Sequence, residues 1–318
     1  MIAGHYGMDG DHLRKAYKDH ISDYWEWDQR PHAAHYVLFP QNMGPNLSID
    51  ETSLSQGELY TVVTNKDAKG RKGSLVALIE GTNSEGVATI LSMIDEAKRL
   101  EVKEVSMDLS PTMQRIVKRC FDNATIVADR FHVQQLMSEA ISELRIEHRW
   151  DAIDLDNKER ALAKEEGQKY IPYTFRNGDT RKQLLARSRY VLMKNYTKWT
   201  DDQQLRATIL FEEYPDIATA YEMSMRLTAI YNKHSEKPAA RLNLARWCND
   251  LEKLGTKHFN IVKDTIYQNY EIILNYFINR TTNASAESFN AKVKAFRSQF
   301  RGVSDIPFFV FRLVTLLA

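Results

Sequence analysis

Three carboxylates sit at the ends of three different segments of this chain. Asp50 closes the run Asn46–Asp50 (NLSID), Asp108 closes Val102–Asp108 (VKEVSMD), and Glu287 lies in TTNASAESFN, residues 281–290. The first two segments read as strands and the third as the start of a helix. Two acids at strand ends and one on a helix can form a small cluster that holds two divalent ions. Mg²⁺ takes oxygen ligands in octahedral geometry and keeps several waters. Two such ions about 4 Å apart activate an attacking oxygen and stabilise a leaving one, the chemistry that cuts or joins phosphodiester backbones. An Asp just past a strand is also a common turn residue. It is the joint placement of Asp50 and Asp108 that favours the catalytic reading. Glu51 is expected to point to the other side of its strand.

A second constellation is Asp129-Arg-Phe-His132. Residues three apart in a helical turn share a face, so the acid and the imidazole are expected in one cleft. There His132 can hydrogen-bond a phosphate or assist proton transfer. Capping of the following helix by Asp129 is the alternative.

The elements that must position these groups follow from the apolar pattern. A helix is expected over 9–30, capped by Asp9 or Asp11, and a linker over 31–45. Strands are expected at 47–54, 59–64 and 74–79, joined by short turn-rich links, which suggests an antiparallel meander. Apolar residues then recur at helical spacing over 84–100. Further elements are a strand at 102–107, a helix at 111–121 begun by Pro111, and a strand at 124–128. The order β-β-β-α-β-α-β, with right-handed crossovers to the parallel strands, is that of an RNase H-like mixed sheet. From Phe131 to about Phe277 only helical periodicity continues, with segments expected at 131–149, 180–195, 201–212, 214–233, 238–254 and 258–278. A helix beginning at Glu287 and ended by Gly302, and an apolar helix over 304–317 packed on the sheet, complete the chain. The resulting division is 1–45 (helix and linker), 46–130 (first part of the core), 131–279 (all-helical insertion) and 280–318 (C-terminal part of the core with Glu287).

The 318 residues carry 43% hydrophobic and 27% charged residues, ordinary for a globular protein. No apolar run approaches the roughly 20 residues that span a bilayer. The N-terminus lacks the pattern of a secretion signal, so a cytoplasmic protein is expected. The two cysteines, Cys120 and Cys248, have no metal-ligand spacing. Net charge is only +1, but the distribution is uneven. Six basic residues and no acid lie between Arg181 and Lys198, among them Arg189 and Lys194. Five (Arg280, Lys292, Lys294, Arg297 and Arg301) accompany the single acid Glu287 between positions 280 and 301. Such stripes can contact phosphates, and a solvated helix face is the alternative.

VSMDLS at 105–110, ATIVADRFHV at 124–133, RYVLMKN at 189–195, NRTTNASAESFNAKVK at 279–294 and FRG at 300–302 resemble bacterial insertion-sequence transposases with a DDE catalytic domain, of the ISL type. The resemblance runs from about residue 46 to the C-terminus. It implies an RNase H-like fold with a helical insertion before the catalytic Glu, and Asp50, Asp108 and Glu287 as the triad holding two Mg²⁺ ions, with Mn²⁺ as a substitute. It places Asp129 and His132 in the family's Asp-x-x-His signature near the active site. The implied reaction is hydrolysis at a transposon end, followed by attack of the freed 3′-hydroxyl on target DNA. The implied partner is DNA, contacted by Arg280, Asn290, Lys294, Arg297, Arg301, Arg189 and Lys194, with the protein homo-oligomeric on DNA and nucleoid-associated when bound. In related enzymes an aromatic of the insertion stacks on an unpaired base, which makes Trp150, Trp199 and Trp247 candidates. The family's N-terminal zinc-binding and helix-turn-helix region has no counterpart in residues 1–45, so a separate or missing recognition module is expected. The competing expectations are an RNase H-like nuclease without strand transfer and a catalytically silent DNA-binding protein.

Overall fold

A computed structural model of the protein describes residues 7, 9–54, 57–233, 236–280, 284–299, 303 and 305–317. The chain forms two compact units, Met1–Asp129 with Thr281–Ala318, and Arg130–Arg280.

The first unit opens with helix α1 (Gly10–Ala16) and continues through strands β1 (Tyr36–Leu38), β2 (Asn46–Ser53), β3 (Leu59–Asn65) and β4 (Leu75–Glu80). Helices α2 (Ser84–Leu91) and α3 (Glu96–Leu100), strand β5 (Glu104–Met107), helix α4 (Pro111–Cys120) and strand β6 (Thr125–Ala128) follow. The sheet order is β1-β4-β3-β2-β5-β6. Strand β2 pairs antiparallel with β3 and parallel with β5, and β5 pairs parallel with β6. Leaving out the edge strand β1, this is the RNase H-like arrangement: a meander extended by two parallel strands on the side of its first strand. Side-chain caps begin the crossover helices. Asn83 accepts from Glu85 and Gly86, Asp95 from Ala97, and Ser110 from Met113, satisfying amides that the helix leaves unpaired.

In this unit three expectations change. Strand β1 lies inside the expected linker and pairs antiparallel with β4, Tyr36 opposite Ile79. Three residues are too few to show alternation, yet Val37 is fully buried at the sheet edge. The first helix is short. It is α-helical only to Ala16, continues as a π-helical turn over Tyr17–Ile21, and stops at an extended Ser22. The helix expected over 84–100 is split, because Asp95 caps a new start.

The second unit is helical, with one isolated bridge between Thr174 and Thr180. Its helices are α5 (Arg130–Glu165), α6 (Arg181–Arg187), α7 (Arg189–Leu192), α8 (Asp201–Glu213), α9 (Pro215–Lys233), α10 (Lys237–Glu252), α11 (Lys257–Gln268) and α12 (Tyr270–Asn279). Helix α5 is 36 residues long and outruns the expected end at 149. The added stretch DAIDLDNKERALAKE is rich in good helix formers but has little apolar periodicity. Trp247 is fully buried in the core of this unit and donates its Nε1–H to the carbonyl of Met223 at 2.8 Å. Asp179, also fully buried, is paired with Arg187 and with Arg206, the latter at 3.0 Å.

The chain then returns to the first unit as α13 (Ala284–Ser298) and α14 (Ile306–Leu317). Phe289, Val293 and Phe296 of α13 join Phe309, Val310, Leu313 and Val314 of α14 in one apolar cluster with Leu54, Tyr60, Val62, Leu75 and Leu78 of the sheet side. Fully burying one such side chain contributes roughly 1.5–3 kcal/mol. The C-terminal helices are therefore as much part of the sheet domain as the strands. Gly302, expected to end α13, lies outside the described residues.

Candidate active site

Asp50 lies on β2, inside the sheet, opposite Val62 of β3. On its other side β2 runs beside β5 with Asn46 opposite Glu104, Leu47 opposite Val105 and Ser48 opposite Ser106. Carrying that offset of 58 onward (104 − 46) brings Asp108 level with Asp50, just past the last paired rung. Neighbouring strands lie about 4.8 Å apart, so this register sets the backbone of Asp108, past the end of β5, beside Asp50 within β2. Asp108 marks where β5 turns into α4. Its Oδ1 accepts the N–H of Ser110 at 2.9 Å, and Ser110 in turn caps α4.

Glu287 is in the first turn of α13 and is exposed. Three residues on, the side-chain amide of Asn290 donates to Asp50 Oδ2 at 2.6 Å. Positions three apart on a helix share a face. Glu287 thus belongs to the stripe of α13 that Asn290 fastens to β2. Two further bonds hold the helix in place: Arg297 to the carbonyl of Ser53 at 3.2 Å and Lys292 to the carbonyl of Gly70 at 2.5 Å.

The electrostatics agree with this crowding. The Glu51 carboxyl is pushed up from its ordinary value, first by burial and then by the negative charges of Asp108 and Asp50. Alternation puts Glu51 on the other face of β2 from Asp50, but its carboxyl still senses both acids. The Oδ1 atom of Asn290 is buried without a hydrogen-bond partner, an arrangement that costs free energy unless something supplies a donor or a positive charge. Hard oxygen donors, mutual repulsion and an unsatisfied amide oxygen are what a hydrated divalent cation would relieve. Among the described residues, no group of three or more His, Cys, Asp or Glu side chains is already drawn into a metal-binding cluster.

Asp129 is buried and continues the β5–β6 ladder, its N–H donating to the carbonyl of Met107 at 2.7 Å. His132 stands on the first turn of α5, half-buried, with Phe131 edge-on to its ring. The two residues belong to different units, since the division falls between Asp129 and Arg130.

A family model described as Transposase, of the DDE type named for ISL3, matches residues 47–313. The chain belongs to the ISL3-type DDE transposase family. No curated protein matches it. Among solved structures, the Drosophila P element transposase strand transfer complex aligns with a TM-score of 0.38 and 12% identity, over 93% of this chain and 79% of that one.

Not every residue expected at DNA has a free side chain in this transposase. Asn290 and Arg297 are engaged by β2 as described. Arg280 ends α12 in the left-handed region, φ 53°, and donates to the carbonyl of Tyr231 at 2.9 Å. Lys194 donates to Gln203 at 3.2 Å. Lys294 and Arg189 are exposed, the latter beside the Tyr190 ring. Arg301 lies outside the described residues. Of the three tryptophans, Trp247 is core, Trp199 stacks on Tyr221 and donates to the carbonyl of Val191 at 3.0 Å, and Trp150 is 59% exposed. The tie between Asn290 and Asp50 escaped the sequence reading. Its signal was the three-residue spacing from Glu287, which puts both side chains on one helical face.

Proposed function

We propose that this transposase is a catalytic subunit that cleaves DNA at insertion-sequence ends and joins the freed end to target DNA, with Asp50, Asp108 and Glu287 as ligands of two Mg²⁺ ions. The observation that carries the reading is the 2.6 Å hydrogen bond from Asn290 to Asp50, which ties the helix of the third acid to the strand of the first. The register that brings Asp108 level with Asp50 supports it, as does the charge crowding at Glu51. Bound divalent ions supply Lewis-acid activation of the attacking oxygen and neutralise charge on the leaving one.

Within that scheme each residue has a task. Asp50 on an inner strand, Asp108 in the loop after β5 and Glu287 on α13 would supply the carboxylate oxygens that hold the ions when they are bound. Asn290 holds Asp50 at one carboxylate oxygen, and the N–H of Glu51 donates to the other at 2.8 Å. Together they fix the rotation of the carboxylate before any ligand arrives. Asp129 and His132 are proposed as accessory groups, with His132 binding phosphate or moving a proton. Lys294, Arg189 and the other basic side chains are proposed to follow the DNA backbone. The protein is proposed to act as a homo-oligomer on DNA in the cytoplasm, with end recognition supplied by a separate module.

The test has two parts. Asp50→Asn, Asp108→Asn and Glu287→Gln should each abolish cleavage of end-containing duplexes in Mg²⁺ or Mn²⁺ while leaving DNA binding intact. Cleavage surviving in any of the three removes that residue from the triad. Supplying a precut end then separates transposase from nuclease, because only a transposase joins that end to a second duplex.

A further inference from the structure

A groove of about 230 Å³ runs between α9 and α10 of the helical unit, lined by Arg226, Ala229, Ile230 and Lys233 from the first helix and by Asn243 and Arg246 from the second. The spacing explains the lining. Positions 226, 229, 230 and 233 recur at i, i+3, i+4 and i+7 and form one stripe of α9, while 243 and 246 share a stripe of α10. Three cations thus border one depression. Arg226 is paired with Asp250 at 2.7 Å. Among the described residues, Lys233 and Arg246 have no ion-pair or hydrogen-bond partner, and both are exposed. The lining holds three cations and no acid, and Asp250, which pairs with Arg226, is shared with Lys253 at 2.8 Å. A depression lined by one sign of charge focuses its field and gathers counter-ions. Ala229, Ile230 and the buried Trp247 supply the apolar part of the lining.

We propose that this groove is a DNA-backbone site, in which Lys233 and Arg246 each hold a phosphodiester oxygen of a duplex. The proposal rests on the reading that the chain binds DNA and adds two contacts outside the basic stripes at 181–198 and 280–301. A solvated helix face would place such cations on scattered azimuths. Here they converge from two helices on a depression wide enough for a phosphate, which is why the backbone reading is preferred.

The experiment is a salt series of DNA binding by the full chain, without divalent metal, using a short labelled duplex of arbitrary sequence. The logarithm of affinity falls linearly with the logarithm of salt, by about 0.9 for each phosphate contact. The double variant Lys233→Ala with Arg246→Ala should therefore bind more weakly and show a slope shallower by about two. The charge-preserving pair Lys233→Arg with Arg246→Lys should keep the parent slope, which excludes a general loss of fold. An unchanged slope in the alanine variant overturns the proposal while DNA binding by the parent stands. A parent that binds no DNA at any salt overturns both this and the function proposed above. Inorganic phosphate supplies the last arm. If it raises the melting temperature of the parent but not of the alanine variant, and the DNA slopes coincide, the groove holds free phosphate and the backbone assignment is wrong.

Discussion

At the scale of single residues, the candidate site is organised by one amide. Asn290 reaches from α13 to Asp50, so a helix arriving late in the sequence is set against a strand near its start. Groups that hold a ligand carboxylate typically change metal affinity or activity by about 10–100-fold when removed. Asn290→Ala should therefore lower the rate of end cleavage by about that factor and shift the Mg²⁺ dependence to higher concentration. A metal titration of single-turnover rates measures both. A variant with parental rate and metal dependence would reduce Asn290 to a packing residue. The apolar pattern marks the segments that carry the three proposed acids, but reading Asp50 as a strand end stops too early: Asp50 lies within β2, which runs on to Ser53. The tether between Asn290 and Asp50 was not legible, because the spacing from Glu287 gives Asn290 a helical face but names no partner 240 residues away.

At the scale of elements, burial marked most helices and strands, but the helices expected over 180–195 and 258–278 are each divided, at Ser188 and at Asn269. Strands β2 to β6 and helices α8, α9 and α10 lie close to where alternation and helical spacing put them. The failures share a physical cause. A three-residue edge strand has no period, a cap inside an apolar run divides a helix without changing its pattern, and a charged extension lengthens one without adding to it. Docking between elements also carries a pH signature that sequence does not reveal. His258 of α11 lies 2.6 Å from Glu143 and 2.8 Å from Glu147, both on α5. The hydrogen bond to Glu147 is the main cause that raises its pKa above the ordinary 6.5. A value raised in the folded state gives stabilisation that is complete below the unfolded pKa and is lost as pH rises through the folded one. The clasp between α5 and α11 should thus be strongest below pH 6.5. Melting temperatures of the parent and of His258→Gln should differ most there and approach each other in alkaline buffer. A difference independent of pH would show that the ring acts by packing alone.

At the scale of the whole molecule, each unit has its own core, and a lesion in one should be felt there first. Trp247 is fully buried among helices of the second unit. Truncating a buried Trp typically costs about 3–5 kcal/mol. Trp247→Ala should raise hydrogen exchange in residues 130–280 by a corresponding factor while β2, β3 and β5 keep their protection. Loss of protection spread evenly over both units would mean that they unfold as one. The division also sets an order of events during synthesis. The ribosome completes the sheet, then the 151 residues from 130 to 280, and only afterwards α13 and α14, which cover Tyr60, Val62, Leu75 and Leu78. At about 5–20 residues per second, that interval lasts roughly 8–30 s. Throughout it the nascent sheet displays an apolar face to solvent, and Asp50 lacks its hydrogen bond from Asn290. A polypeptide released early at the unit boundary would be sticky and a natural client for chaperones.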